Sequence, residues 1–266
     1  MSRPQVMGIL NVTPDSFYEG SRKQTERDIA LRAQEIVEQG GAMIDIGAFS
    51  TRPGAQEVSE DEEGRRLQWA LGIVRREVPD AVISVDTYRP ALARRCVADW
   101  GADIINDVSE GGLTGIVNTP IHERESMFDV VGELRCPYIL MSVKSTMHDM
   151  LMAFAGEIQQ LRDRGVKDII LDPGFGFGKT LDDNYTLLGQ MERLQALGLP
   201  VLVGVSRKSM IFRLVGGDPT TALNGTTALH AIALQKGASI LRVHDVREAV
   251  ETVAIVERMN LCTDKR

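Results

Sequence analysis

The stretch DIILDPGFGFGKT (168–180) joins an apolar run that ends in aspartate to a turn rich in glycine. The run indicates a short buried strand, and the glycines indicate a tight turn after it. The turn matches neither common nucleotide loop. Gly174, Gly176 and Gly178 are spaced as GxGxG rather than GxGxxG, and a P-loop would need glycine where Pro173 stands. The stretch is therefore a strand with a polar end and a glycine turn, and similar strand ends recur along the chain.

Eight apolar runs of this kind alternate with amphipathic stretches of helical spacing. Near-continuous apolar runs are typical of parallel strands that are covered on both faces. The repetition at roughly 35 residues predicts a (β/α)₈ barrel, an α/β TIM barrel, in a single domain over residues 1–266. A doubly wound open sheet is the alternative. The predicted strands are VMGIL (6–10), MIDIG (43–47), VISVD (82–86), DIIND (103–107), YILMS (138–142), DIILD (168–172), VLVGV (201–205) and ILRVH (240–244).

The composition is that of a globular enzyme without a general basic face. The net charge of −7 over 266 residues argues against nucleic acid or an anionic membrane as a partner. Cys96, Cys136 and Cys262 have no C-x-x-C spacing, so neither a disulfide framework nor a zinc site is predicted. The N-terminal apolar run is too short for a signal peptide, and no run of about 18 apolar residues appears, so we expect a cytoplasmic protein.

Polar residues stand at the C-terminal ends of the predicted strands, which form the active-site face of a barrel. A small polar ligand is expected there. An ionised carboxylate such as Asp86 or Asp172 is costly after an apolar run unless it accepts hydrogen bonds, and a flat heterocycle with several N–H groups would donate them. Loop capping or pairing with local lysines is the alternative for both. The strand-end residues are Asn11, Asp45, Asp86, Asn106, Asp107, Ser142, Asp172, Ser206, Arg207, Lys208, Arg242, Val243 and His244.

The alternation of side chains across a strand limits which of these residues can face the barrel axis. Arg242 and His244 face the same way, because they are two positions apart. Asn106 and Asp107 are neighbours and cannot both face the axis. At most one of that pair therefore contacts a ligand.

Cationic residues on three separate loops indicate a phosphate or diphosphate ligand. These residues are Arg52, Arg207 with Lys208, and Arg242 with His244. Arginine forks suit phosphate oxygens, and a lysine adds a point charge. Surface salt bridging is the alternative. The four histidines form neither HExxH nor the order of a serine triad, so a zinc hydrolase or a triad enzyme is poorly supported.

Seven motifs, in order and at the predicted strand ends, carry a resemblance over nearly the whole chain. Together they resemble the dihydropteroate synthase family of pterin-binding (β/α)₈ barrels. The resemblance implies a transferase of folate biosynthesis that condenses 6-hydroxymethyl-7,8-dihydropterin diphosphate with 4-aminobenzoate and releases diphosphate. The motifs are GILNVTPDSF (8–17), STRPGA (50–55), ISVDTYR (83–89), DIINDVS (103–109), ILDPGFGFGKT (170–180), VLVGVSRKS (201–209) and ILRVHDV (240–246).

The resemblance also implies how the pterin is bound. Carboxylate and amide acceptors would meet the amino-pyrimidine edge, and Lys208 would meet the ring carbonyl and the N5 side. Asn106 is selected over Asp107, which is left to support its loop. Catalytic roles fall to Lys208, Arg242 and Asp86. The implied pterin residues are Asp86, Asn106, Met141, Asp172, Lys208 and Arg242.

The second substrate, the leaving group and the metal are assigned by the same resemblance. A dissociative displacement at the pterin methylene is implied, with electrostatic stabilisation of the developing charges. Asn11 would be the protein ligand of Mg²⁺, a cation that keeps several waters. A homodimer through the last helices is implied as well. Diphosphate would be held by Asn11, Arg52, Arg242 and His244, and 4-aminobenzoate by Phe17, Thr51, Pro53, Phe177, Lys208 and Ser209.

Three stretches of the sequence depart from the family pattern. Glu19 stands where aspartate is frequent, and Ala48-Phe49 replaces Gly-Glu. The loop MSVKSTMHDM (141–150) carries Ser142 where histidine is usual. This loop keeps open a catalytically silent pterin-binding paralogue as an alternative. A corrinoid-linked pterin methyltransferase is another, although it would lack the STRPG and SRKS loops.

Overall fold

A computed structural model describes residues 3–12, 22–49, 58–111 and 126–263. Within these ranges, strands and helices alternate along the chain. The strands of this part are β1 (Gln5–Asn11), β2 (Met43–Gly47), β3 (Val82–Asp86), β4 (Ile104–Asp107), β5 (Tyr138–Met141), β6 (Ile169–Asp172), β7 (Leu202–Val203) and β8 (Ile240–Val243). Its helices are α1 (Arg22–Glu38), α2 (Glu60–Glu77), α3 (Pro90–Ala98), α4 (Met127–Leu134), α5 (Met147–Asp163), α6 (Leu181–Gly189), α7 (Ser209–Val215), α8 (Leu223–Gln235) and α9 (Val246–Thr263), with a 3₁₀ helix at Met191–Leu197.

The eight strands form one parallel sheet that closes on itself. Their order is β6-β5-β4-β3-β2-β1-β8-β7. The two ends of this order also meet, because a bridge joins Leu171 to Val201 and the Leu171 N–H donates to the Pro200 carbonyl at 2.9 Å. Each strand therefore has two neighbours. This confirms the predicted (β/α)₈ barrel and rules out the doubly wound alternative, which keeps two open edges.

The seventh strand is shorter than the sequence predicts, whereas the others agree to within about a residue at each end. Only Leu202 and Val203 pair in the ladder, although the apolar run covers 201–205. The Val201 carbonyl accepts the N–H groups of both Ser239, at 2.8 Å, and Ile240, at 3.1 Å. The regular ladder is therefore limited to two residues.

The interior of the barrel has a polar layer on an apolar floor. The floor is a buried cluster with one apolar side chain from each of seven strands. Because side chains alternate along a strand, the residue two positions later faces the same interior, nearer the C-terminal end. Asp45, Asn106, Asp172 and Arg242 follow floor residues at this offset, and Asp86 is in register with Asn106; these five form the polar layer. The floor residues are Met7, Met43, Ile104, Ile139, Ile170, Leu202 and Ile240.

The opposite strand faces pack against the helices. Ile44, Ile83 and Ile105 are buried in a large cluster that also contains Ile29 and Ala33 of α1. A strand with the floor on one side and helices on the other is covered on both faces, and its inward polar side chains lie above the floor in the polar layer. This explains why the strands read as near-continuous apolar runs.

Several helices begin at hydrogen-bonded caps. The Ser59 side chain accepts the N–H of Glu62 at 3.3 Å at the start of α2. Thr180 and Asp183 form a reciprocal capping box at the start of α6, and Ser126 caps α4, a helix that the sequence patterns did not single out. Each such cap stabilises its helix by about 1 kcal/mol.

The described part of the chain contains no helix long and apolar enough to cross a bilayer. Cys96 and Cys136 are buried and Cys262 is exposed, and all three are unpaired, as predicted. Burial raises the pKa of the Cys136 thiol to about 11. This thiol is therefore protonated near neutral pH and is a poor nucleophile.

Candidate active site

Arg242 is the centre of a hydrogen-bonded network in the polar layer. Its Nε donates to Asp45 Oδ2 at 2.6 Å, and its Nη2 donates to Asp86 Oδ2 at 2.9 Å. The Asn106 Nδ2 donates to the same Asp45 oxygen at 3.2 Å. Side chains from β2, β3, β4 and β8 thus converge on one cluster in which two carboxylates share a guanidinium.

The charges of this cluster shift the pKa values of its members. Burial raises the pKa of Asp86 to about 7, while Arg242 opposes the shift and Asp45 adds to it. Burial disfavours the charge on Arg242, but Asp45 and Asp86 outweigh it and raise the pKa of the guanidinium. The Asp86 side chain is 17% exposed, whereas that of Asp45 is fully buried. Asp86 is therefore the carboxylate of the pair that a ligand can contact.

Several buried oxygens of the site have no hydrogen-bond partner among the residues that the structure describes. They are Oδ1 of Asp45, Oδ1 of Asp86, Oδ1 of Asn106 and the hydroxyl of Ser84, one layer deeper on β3. Each buried acceptor without a donor costs about 1–3 kcal/mol. A ligand with several N–H groups would remove part of this cost. The polar layer is therefore suited to a flat ring with a donor-rich edge.

Asp172 and Lys208 are oppositely charged neighbours at the same end of the barrel. Asp172 Oδ1 accepts the Gly174 N–H at 2.8 Å, and burial raises the pKa of Asp172 against the effect of Lys208. Burial lowers the pKa of Lys208 to about 8, with Asp172 opposing the shift. The Lys208 ammonium donates to the Phe175 carbonyl and lies 4.6 Å from the centre of the Phe177 ring. This lysine can therefore serve a polar ligand and an aromatic ring together.

The glycine turn after β6 is held together by Lys179. Its three glycines have φ angles of +64°, +83° and +61°, in the left-handed region that favours glycine. The Lys179 ammonium donates to the carbonyls of Ser142 at 3.0 Å, Gly174 at 2.9 Å and Phe177 at 3.1 Å. Lys179 is therefore a structural residue of this turn rather than a P-loop lysine.

The atypical loop after β5 is anchored by Glu110. The Ser142 hydroxyl donates to Glu110 Oε1 at 2.8 Å, and the Val143 N–H donates to the same oxygen at 3.0 Å. Lys144 lies 3.7 Å from the other carboxylate oxygen. Met141, immediately before this loop, is fully buried. The serine that replaces the family histidine therefore has a defined partner, which the sequence did not reveal.

Asn11 and His244 stand where β1 and β8 end. Asn11 is exposed, and a Cβ placed on Gly47 would lie 3.4 Å from its Oδ1 and 3.7 Å from the Asp86 Cβ, so Asn11 borders the polar layer. His244 Nδ1 lies 3.0 Å from the oxygen of the Ser206 hydroxyl group. The same oxygen accepts the His244 backbone N–H at 3.1 Å, which leaves the hydroxyl proton to donate to Nδ1. A neutral imidazole that accepts at Nδ1 carries its proton on Nε2, where it can donate to an anion.

Two polar residues next to the predicted site support loops instead. Arg207 donates to both carboxylate oxygens of Asp245, at 2.9 and 2.8 Å, and to two carbonyls of the loop before α8. Its expected part in phosphate binding was therefore wrong. Asp107 accepts hydrogen bonds from Ser109 and, at 2.6 Å, from the Tyr138 hydroxyl. The prediction that Asp107 supports its loop is confirmed.

The residues to which ligands were assigned fall into two groups, and all their ligand roles stay predictions. The first group stands around the C-terminal end of the barrel and includes Ser209, the half-buried first residue of α7. Its members are Asn11, Asp86, Asn106, Met141, Asp172, Phe177, Lys208, Ser209, Arg242 and His244. The second group lies outside the described residues and consists of Phe17, Thr51, Arg52 and Pro53.

Asp45 is a site residue that the sequence reasoning left without a role. It was named only as one of the polar strand ends. Its offset from Met43 equals that of Asn106 from Ile104, so strand alternation alone places both side chains in the same layer. That offset was the signal that could have identified it.

Comparisons with known proteins agree with this geometry. The family described as pterin binding enzyme matches residues 7–244, from β1 to the end of β8. A dihydropteroate synthase of Escherichia coli strain K12 is 38% identical over 272 residues, which cover 97% of this chain and 92% of that protein.

Solved structures support the same relationship. The Xanthomonas albilineans dihydropteroate synthase with 4-aminobenzoic acid superimposes with a TM-score of 0.83 at 36% identity, covering 97% of this chain and 93% of that one. The same enzyme in complex with 7,8-dihydropteroate gives a TM-score of 0.81 at 34% identity, with 97% and 94% covered. The chain therefore belongs to the pterin-binding enzyme family and groups with its dihydropteroate synthases, transferases of folate biosynthesis.

Proposed function

We propose that the protein joins 6-hydroxymethyl-7,8-dihydropterin diphosphate to 4-aminobenzoate, giving 7,8-dihydropteroate and diphosphate. The observation that carries this proposal is a set of buried acceptors that find no partner in the described part of the chain, Oδ1 of Asp86 and of Asn106, beside Asp172 and Lys208. An amino-pyrimidine edge supplies the missing donors. The related structures that hold 4-aminobenzoic acid and 7,8-dihydropteroate support the same substrates.

In this proposal the pterin lies on the polar layer. Asp86, Asn106 and Asp172 accept hydrogen bonds from its amino-pyrimidine edge, and Lys208 donates to the ring carbonyl and the N5 side. The Arg242 guanidinium packs beside the ring, as does Met141. Arg242 already donates to two carboxylates, so its plane is fixed before the ligand arrives.

The reaction proposed is a dissociative displacement at the pterin methylene. The bond from this carbon to the diphosphate oxygen breaks, the electron pair leaves with the diphosphate, and the aryl amine then forms the carbon–nitrogen bond and loses a proton to solvent. Asp86 and Asp172 stabilise the positive charge that develops on the pterin, and Arg242 and His244 stabilise the diphosphate. Charged contacts of this kind contribute on the order of 10² to 10³ each to the rate.

The diphosphate site would consist of Asn11, Arg52, Arg242 and His244. Arg242 Nη1 has no partner among the described residues, so this edge of the guanidinium can serve an anion. The described residues contain no group of three histidine, cysteine or acidic side chains that could hold a metal. The side-chain oxygen of Asn11, an exposed residue, suits Mg²⁺, which accepts few protein ligands and takes the rest from water and phosphate. Bound there, Mg²⁺ would neutralise charge on the diphosphate.

The 4-aminobenzoate site would lie beside Lys208, which immediately precedes α7. The Phe177 ring below the Lys208 ammonium provides an apolar wall next to a cation, which suits an aromatic carboxylate. Ser209 is adjacent and half-buried. Phe17, Thr51 and Pro53 complete the proposed site.

A coupled assay tests the proposed function directly. Purified protein, Mg²⁺, the pterin diphosphate and labelled 4-aminobenzoate are expected to give labelled dihydropteroate, and a chelator should stop its formation. Tight pterin binding without labelled product would contradict the synthase and favour the silent paralogue. Product formation unaffected by the chelator would reject the Mg²⁺ proposal alone.

Replacing Asp172 with asparagine is expected to weaken binding of 6-hydroxymethylpterin about 10- to 100-fold, because one charged hydrogen-bond acceptor is lost. Isothermal titration calorimetry measures the effect. Asp182→Asn is a matched control, since Asp182 is exposed in the first turn of α6; it should bind the pterin like the wild type. Unchanged affinity in Asp172→Asn would show that the pocket is misassigned.

The pH profile of kcat/KM is expected to be a narrow bell. Asp86 acts ionised and has a pKa raised to about 7, so activity falls as pH decreases below it. Lys208 acts protonated and has a pKa lowered to about 8, so activity falls as pH increases above it. In Lys208→Arg the basic limb should move upward by more than about two pH units, because a guanidinium stays charged. Initial rates from about pH 5.5 to about pH 10 measure both limbs, and a flat profile would contradict this assignment.

A homodimer in the cytoplasm completes the proposal. The exposed apolar side chains Ile255, Met259 and Leu261 of α9 stand near the end of the described chain, and Ile232 of α8 is also exposed. An apolar stripe on the last helices suits a self-association surface. Sedimentation should show a dimer that Ile255→Glu shifts to a monomer.

The unpaired cysteines are in keeping with a reducing compartment, which cell fractionation would check.

A further inference from the structure

Asp45 accepts hydrogen bonds from two residues of the site, although its own side chain is not accessible to a ligand. Its side chain has no exposed surface. One oxygen, Oδ2, accepts both the Arg242 Nε–H at 2.6 Å and the Asn106 Nδ2–H at 3.2 Å. The two donors come from β8 and β4, on either side of β2 and β3 in the sheet order. A single carboxylate oxygen therefore links the guanidinium and the amide of the site.

This contact decides which end of the Asn106 amide faces the pocket. An ionised carboxylate only accepts hydrogen bonds, so the amide must present its NH₂ group to Asp45. Turning the amide over would bring its oxygen to about 3 Å from the carboxylate oxygen, where two acceptors repel. The Asn106 oxygen is buried, and none of the described residues is its hydrogen-bond partner. Asn106 therefore offers an acceptor to whatever enters the pocket.

We propose that Asp45 is a positioning residue that sets the hydrogen-bond polarity of Asn106 and thereby the preference for a ring bearing an amino donor over one bearing an oxo acceptor. The inference rests on the proposed function, because the ring concerned is the pterin. Asp45 acts through Asn106 and does not touch the substrate. Without it, the Asn106 amide can adopt either orientation and can serve either ring.

Three replacements of Asp45 distinguish the effect of its hydrogen-bond polarity from the effect of its charge. In Asp45→Asn, the Arg242 Nε–H still needs an acceptor, so the new amide turns its oxygen toward Arg242 and Asn106, and the polarity is kept. In Asp45→Thr, the hydroxyl can accept from Arg242 and also donate to a turned Asn106. Threonine also suits a strand. In Asp45→Leu, no hydrogen-bonding group remains, while Arg242 and Asp86 still form a neutral pair.

The test uses calorimetry on the full chain to compare the Kd of 6-hydroxymethylpterin with that of 6-hydroxymethyllumazine. In the lumazine, an oxo group replaces the 2-amino group. The wild type should prefer the pterin. In Asp45→Thr and Asp45→Leu this preference is expected to fall about fivefold to tenfold, the contribution of one hydrogen bond. In Asp45→Asn it should stay within about twofold of the wild type.

Each outcome bears on the proposal. A preference unchanged in Asp45→Thr and Asp45→Leu, even with both ligands bound more weakly, would overturn it and leave Asp45 a structural residue. An equal fall in Asp45→Asn would assign the effect to charge and would overturn it as well.

If only one of Asp45→Thr and Asp45→Leu folds, that variant decides. If neither folds, titration of Asn106→Leu decides: a preference retained there would overturn the proposal, and a loss of about fivefold or more would support it. A wild type that binds neither ring would instead refute the proposed function.

Discussion

Arg242→Met is expected to lower the free energy of unfolding by about 3–5 kcal/mol and kcat/KM by about 10² to 10³. Methionine keeps most of the side-chain volume but leaves the carboxylates of Asp45 and Asp86 buried without their shared cation. Two buried like charges then repel, and the diphosphate loses one of its proposed donors. Urea denaturation and steady-state kinetics measure the two effects separately.

The matched control for Arg242→Met is Arg164→Met, which removes an arginine from an ion pair of similar length. Arg164 Nε lies 2.6 Å from Asp129, but both side chains are more than a third exposed. Such surface pairs contribute about 0–1 kcal/mol, so stability and activity should change little. A loss of less than about 1 kcal/mol in Arg242→Met would contradict the prediction.

A second control separates the two roles of Arg242. When Arg242→Met is combined with Asp45→Asn and Asp86→Asn, no uncompensated charge remains in the cluster. Replacing all members of a buried ion pair with neutral groups is often tolerated. Most of the lost stability should therefore return, whereas activity should not, because the proposed pterin and diphosphate contacts are still missing.

The barrel and most of the polar layer could be predicted because both depend on local patterns. A parallel strand buried on two faces is apolar over most of its length, and the polar residues near its C-terminal end identify the active-site end of the barrel. The one failure among the strands, β7, has a non-local cause: the Val201 carbonyl accepts hydrogen bonds from Ser239 and Ile240, which stand far away in the sequence.

The hydrogen-bond partners within the site could not be predicted, because they join distant parts of the chain. Asp45 and Arg242 are 197 positions apart, and the offset that brings them together is visible only once the barrel is closed. The same holds for Glu110 and Ser142, 32 positions apart. Arg207 was misassigned for this reason, since nothing local indicates its pairing with Asp245.

Gly174→Ala is expected to lower the free energy of unfolding by about 2–5 kcal/mol and to abolish tight pterin binding. A Cβ at Gly174 would meet the backbone carbonyl of Ser142 at 2.2 Å, a contact that cannot form without moving the chain. The φ of +64° adds a cost of about 1–2 kcal/mol for any residue with a Cβ, and overpacking adds about 1–3 kcal/mol. Because the Gly174 N–H donates to Asp172, the carboxylate would move with the turn.

Gly178→Ala separates the steric clash from the backbone strain. Gly178 has nearly the same φ, +61°, but a Cβ there would come no closer than 3.8 Å to its nearest neighbour, the Val143 carbonyl. Only the conformational cost of about 1–2 kcal/mol should appear, with pterin affinity close to that of the wild type. If thermal denaturation gave equal losses of unfolding free energy for the two variants, the prediction would be wrong. The close approach of the turn after β6 to the loop after β5 would then not hold Asp172 in place. A larger loss in Gly174→Ala, accompanied by weaker pterin binding, would instead show that this backbone contact positions the carboxylate.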